Sequence, residues 1–158
     1  NRGIVFINEK RNKEALIDFN KAIELKPRFP DAYNNRGTVF ITEKRNDEAL
    51  ADFSKAIELN PGYCDAYVNR GNLFLNEKRN EEAIQDLNKA IGLKPDNVDA
   101  YNNRGVVFIN VKRFDEAIND FNKAIELKPD YAKAYHNRDA VLKMKRERKK
   151  PSAIIQKQ

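Results

Sequence analysis

The chain has 158 residues, with 30 Lys plus Arg against 24 Asp plus Glu, one cysteine and no tryptophan. Residues 1–142 carry 23 charges of each sign, so the net charge of +6 comes wholly from residues 143–158, which hold seven basic residues and one acidic. The lone Cys64 excludes an internal disulfide and has no CxxC partner for zinc or redox work, and no run approaches the ~18 apolar residues of a membrane helix or the pattern of a signal peptide.

In chain order the sequence restates itself. Asn-Arg-Gly stands at 1–3, 35–37, 69–71 and 103–105, and decays to Asn137, Arg138, Asp139. Lys-Ala-Ile recurs from Lys21, Lys55, Lys89 and Lys123, and a proline follows at Pro27, Pro61, Pro95 and Pro129. The spacing is 34 residues without a gap, the mark of a stacked repeat array. Residues 1–29 are thus a partial unit with a truncated first helix, which predicts further sequence upstream.

The unit at 30–63 shows how each one folds. Tyr33, Val39 and Phe40, then Ala49, Leu50, Phe53, Ala56 and Ile57, follow offsets of three, four and seven that place an apolar stripe on one face of each of two helices. The polar stretch Glu43 to Asp47 predicts a turn. Asn46, like Asn12 and Asn80, is expected to cap the second helix, with Asp47 and Glu48 favoured in its first turn by the helix dipole. Pro61 has no amide hydrogen to continue the helix and ends it. Units 64–97 and 98–131 repeat this hairpin. Residues 132–150 start another first helix at Ala134 and Tyr135, but the glycine becomes Asp139 and the alanine expected on a second helix falls on Pro151. That stretch is predicted to be a single capping helix, apolar through Tyr135, Val141 and Leu142 and solvated from Lys143 to Lys150, followed by a tail at 151–158.

A hairpin that cannot bury both apolar faces alone must stack on its neighbours. These residues resemble the tetratricopeptide repeat: Tyr33, Arg36, Gly37, Phe40, Ala49, Phe53 and Pro61 occupy its signature places. Tyr67, Arg70, Gly71, Phe74, Ala83, Leu87 and Pro95 occupy them again, as do Tyr101, Arg104, Gly105, Phe108, Ala117, Phe121 and Pro129. The resemblance covers residues 1 to about 142 and implies an all-α, right-handed superhelical solenoid of antiparallel hairpins with a C-terminal cap. Gly37, Ala49 and Ala56 are expected where helices approach closely. One departure is systematic, because the Leu of the signature is Arg at 36, 70 and 104. An unpaired charge on a packed face is very costly, so Arg36, Arg70 and Arg104 are expected to bridge to Asp52, Asp86 and Asp120, within a hairpin or to its neighbour.

Catalysis finds little support. His136 is the single histidine, Ser54 and Ser152 are the two serines, and no phosphate loop, nucleophile–base pair, metal set or cofactor motif appears. The resemblance instead implies a groove along the first helices that holds an extended peptide or partner protein. Asn34, Asn35, Thr38, Asn69, Asn72, Asn76, Asn102, Asn103, Asn110, Lys133 and Asn137 are its candidate contacts. An amide both donates and accepts, as an extended backbone requires, and the column resembles the asparagine ladder of the O-GlcNAc transferase repeats. The alternative is that each Asn ties adjacent first helices together. The carboxylate clamp of chaperone-binding members fits poorly. Its places fall on Val68, Asn72, Asn103, Lys133 and Asn137, where three of the five match, and Asp31, Asp65 and Asp99 would repel a carboxylate. RNA binding, as in the pentatricopeptide repeats, is the runner-up, but the neutral body argues against nucleic acid. End-to-end self-association of chains through an uncapped stacking face is a third reading.

Overall fold

The computed structural model describes residues 11–149, which form helices and the turns between them. The chain divides into two compact units, residues 1–95 and 96–158. In the first, α1 spans Asn12–Leu25, α2 Pro30–Thr42, α3 Asn46–Leu59, α4 Cys64–Asn76 and α5 Asn80–Leu93. In the second, α6 spans Val98–Asn110, α7 Phe114–Leu127 and α8 Ala132–Lys149. Helices α2 and α3, α4 and α5, and α6 and α7 form antiparallel hairpins, so the fold is an all-α helical-repeat solenoid. The expected truncated helix and tail lie outside the described residues.

Small residues set the hairpin geometry. Ala49 and Ala56 are fully buried, and Phe53 of α3 at 1 % exposure packs with Phe40 of α2 and Leu73 of α4. A β-carbon at residue 37 would stand 2.7 Å from Cε1 of Phe53, so only glycine admits the ring. At residue 71 the facing side chain is Leu87, and the same β-carbon would stand 3.0 Å from its Cγ.

The turns hold two departures from the sequence reading. First, the asparagines do not cap the second helices. Arg45 and Arg79 occupy the N-cap of α3 and α5, and Asn46 and Asn80 are already helical. Asn46 Nδ2 instead donates to Glu77 at 3.3 Å, and Asn12 Nδ2 to Thr42 and Glu43 at 2.9 and 2.8 Å. The amide is more useful spanning to the following first helix than bonding its own backbone. An arginine at a helix N-terminus opposes the dipole, and two contacts draw it away: the Arg79 guanidinium stacks 4.3 Å from the Phe74 ring and pairs with Glu82 three residues on. The Arg79 partner holds the Glu82 carboxyl below its ordinary range, and Glu48 and Glu116 are lowered in the same way by Arg45 and Arg113.

Second, each first helix ends on a lysine in the left-handed region: Lys44, Lys78 and Lys112 have φ of 59°, 60° and 62°. The amide of Arg79 donates to Phe74 O at 2.8 Å and that of Lys78 to Leu75 O at 3.1 Å, closing the helix end with the paired bonds of a Schellman motif. A non-glycine residue there costs about 1–2 kcal/mol. Lys78→Gly is expected to raise stability by about 0.5–1 kcal/mol after its greater unfolded freedom is subtracted, as a higher urea midpoint in a circular-dichroism titration.

Helix α8 departs from its expected burial. Ala134 and Val141 are fully buried, whereas Tyr135 is 38 % exposed with its hydroxyl donating to Pro129 O at 3.0 Å. The basic stretch is also more than a solvated end: Lys145 pairs with Asp115 of α7, and Arg148 lies 4.8 Å from the Phe114 ring.

Candidate functional site

Among the described residues three columns of polar side chains recur from repeat to repeat, and only one leaves groups free to meet a ligand. The arginine column is internal. Arg36 donates through Nε and Nη2 to both oxygens of Asp52 at 2.7 Å each, and Arg70 and Arg104 hold Asp86 and Asp120 in the same fork at 2.7 to 2.8 Å. The bridge closes within a hairpin. The spare Nη1 of Arg36 reaches back to Asn20 at 2.7 Å, and that of Arg70 to Ser54 at 3.0 Å, so the same guanidinium ties its hairpin to the preceding second helix. The paired carboxylate raises the pKa of each of these arginines, which stay cationic at any working pH. All three aspartates are 5–6 % exposed, which removes this column from the ligand surface.

The second column links first helices. Asn34 and Asn102 are 5 % and 4 % exposed, so these two proposed contacts are interior residues. Asn69 Nδ2 donates to Asn34 Oδ1 at 2.9 Å, and Asn137 Nδ2 to Asn102 Oδ1 at 3.0 Å. Part of the Asn column therefore ties adjacent first helices together. Beside each linkage a tyrosine hydroxyl donates to a carboxylate, Tyr63 to Asp31 at 3.0 Å and Tyr131 to Asp99 at 2.6 Å. Burial, followed by the neighbouring aspartate, pushes both phenols well above their ordinary range. Neither tyrosine was singled out from sequence, because each pair joins neighbouring repeats across 32 residues.

The third column carries the exposed chemistry. In the first unit Thr38, Asn69, Asn72 and Asn76 come together with Ile41 and Leu73 around a cleft of about 260 Å³ whose floor includes Phe53. Thr38 Oγ1 donates to Asn34 O at 3.1 Å. The side chains of Asn72 and Asn76 make no hydrogen bond among the described residues, and Asn72 is half-buried while Asn76 is exposed. Asn35 is half-buried on α2, outside this lining. In the second unit Asn103 accepts from Asn102 at 3.2 Å, and Asn110 and Lys133 are exposed. Among the described residues no three His, Cys, Asp or Glu side chains gather as a metal site, and no helix is long and apolar enough to cross a membrane.

Helical hairpins at a 34-residue period, joined through small residues, define a helical-repeat protein. The TPR repeat family profile matches residues 3–42 and 71–111, and tetratricopeptide repeat profiles match 30–63, 98–131 and 53–85. The chain belongs to the tetratricopeptide repeat family. Among solved structures, MamA superposes with a TM-score of 0.83 at 22 % identity, covering 94 % of this chain and 86 % of that one. YrrB, a TPR protein with an unusual peptide-binding site, superposes with a TM-score of 0.75 at 24 % identity, covering 93 % and 76 %. The first TPR of Spaghetti (RPAP3), bound to the HSP90 peptide SRMEEVD, does so with a TM-score of 0.72 at 21 % identity, covering 74 % and 93 %. At these identities the likeness carries the fold alone. The search of curated proteins found no match.

Proposed function

We propose that this chain is a protein-interaction scaffold that takes an extended peptide onto the amide-lined face of its first helices. The observation that carries the reading is the cleft between α2 and α4, where Asn72 and Asn76 stand with unengaged amides beside Ile41 and Leu73. An extended peptide offers alternating N–H and C=O groups, and a side-chain amide satisfies one of each. The aliphatic neighbours add contact area without demanding a particular sequence. Asn69 serves the same face while bonded to Asn34, and Asn35, Asn103, Asn110, Lys133 and Asn137 extend the contact set within their own units. YrrB and the Spaghetti TPR, each with a peptide site or a bound peptide, support this choice of ligand class.

The test separates ligand contact from packing. An array of random twelve-residue peptides is probed with the full chain and with the Asn72→Ala, Asn76→Ala double variant, chosen because neither side chain bonds within the fold. The variant is expected to keep its helicity and melting point and to lose signal at least tenfold. Undiminished binding would overturn the reading.

A further inference from the structure

The second unit carries a cavity that two departures from the repeat create together. Asparagine stands at 12, 46 and 80, where the fourth repeat has Phe114; Thr42, Asn76 and Asn110 stand where α8 has Met144. In the earlier repeats that asparagine place and the end of the following first helix are joined by polar bonds, from Asn12 to Thr42 and from Asn46 to Glu77. Here the helix runs on to Lys149 rather than turning. The space alongside is about 510 Å³, lined by Ile109, Lys112, Phe114, Met144, Glu147 and Arg148 together with Asn110. That volume lies within the ~300–1,000 Å³ of small-ligand pockets. Its apolar members Ile109, Phe114 and Met144 stand beside two cations and one anion, and Met144 remains 41 % exposed. Lys112 is held at the rim by the left-handed turn, its amide donating to Ile109 O at 3.0 Å.

Positive charge outweighs negative around this cavity. Lys143, Lys145, Arg146 and Arg148 surround Glu147 in the same helix, and among the described residues only Lys145 of the four is spent on a carboxylate, that of Asp115. Arg148 lies over Phe114 rather than in an ion pair with an acid. An apolar hollow rimmed by cations is complementary to an apolar side chain flanked by carboxylates.

From this we infer that the end of the second unit is a docking site for an acidic peptide segment that inserts one bulky apolar side chain between Phe114 and Met144 while its carboxylates meet Lys112 and Arg148. The site extends the peptide-binding reading above and shares with it only the class of ligand. It uses none of the cleft residues of the first unit.

The probe is a fluorescent eight-residue peptide of Asp and Glu with Leu-Phe at its centre, followed by anisotropy on the full chain. A second peptide replaces Leu-Phe by Ser-Ser. Binding is expected for the first peptide, at least tenfold weaker for the second, and falling with added salt. Lys112→Glu and Met144→Ala are each expected to weaken it tenfold, the second trimming a side chain that is 41 % exposed, so that the chain still folds. The Asn72→Ala, Asn76→Ala variant is expected to bind as the wild type, so loss of the first-unit cleft and loss of this site read out separately. Equal binding of both peptides, or equal competition by anionic vesicles or homopolymeric RNA regardless of the Leu-Phe pair, would make the stretch a general polyanion surface and overturn the site. Absence of binding would leave the Phe114 and Met144 contacts as helix capping alone and overturn it equally.

Discussion

Arg70→Ala is expected to destabilise the chain by about 3–5 kcal/mol, and Asp86→Ala by less. The asymmetry follows from exposure. Asp86 is 6 % exposed and both its oxygens bond one guanidinium, so removing the arginine strands a carboxylate away from water. The Arg70 side chain keeps 21 % of its exposure, bonds Ser54 and lies within 5.8–5.9 Å of the Tyr67 and Phe74 ring centres. Left without its aspartate it still has partners and a path to solvent. Arg70→Met with Asp86→Leu is expected to recover most of the loss, since well-packed apolar residues replace a buried pair at little net cost. Urea titrations followed by circular dichroism rank the four proteins. Equal losses for the two single variants would show that burial of the carboxylate does not govern this column.

Gly37→Ala and Gly105→Ala are each expected to cost about 1–3 kcal/mol through overpacking, and Gly71→Ala less. A β-carbon would stand 2.7 Å from Phe53 at residue 37 and 2.6 Å from Phe121 at residue 105, against a rigid ring edge in both cases. At residue 71 it would stand 3.0 Å from Leu87 Cγ, and a leucine relieves the contact by turning about its side-chain bonds. Combining Gly37→Ala with Phe53→Leu recreates the pair that Gly71→Ala would make with Leu87. The pair is expected to be more stable than the sum of its single costs, because the two residues touch. Thermal melts of the singles and the double measure that coupling, and strict additivity would mean that the ring edge is not what glycine accommodates.

The helical repeats were legible in the sequence to a large degree, for a local reason. The positions of Pro27, Pro61, Pro95 and Pro129, the Gly37 to Ala49 spacing and the 34-residue return of every apolar stripe depend on residues near in sequence, and helix hairpins are built from such short-range rules. The arginine and aspartate columns were visible as matched periods, but the choice of partner within the hairpin needed coordinates. Asn12, Asn46 and Asn80 misled because one residue type suits both a cap and a cross-repeat bond, and the bonds of Asn12 and Asn46 run 30 to 31 residues away. Lysine in the left-handed region carries no local signal, since Gly or Asn is the usual occupant.

By itself the sequence determined the class of fold, the length of each hairpin and the column that must hold paired charge, because periodicity and the cost of burying an unpaired charge act on any chain with this pattern. Only the tertiary structure decided which asparagines face inward. Asn34 and Asn102 hold one place of the repeat and are buried, whereas Asn69 and Asn137, each 35 residues further on, hold the next place and donate to them. Asparagine stands at both places, so residue type does not tell which one turns inward; the packing of neighbouring first helices does.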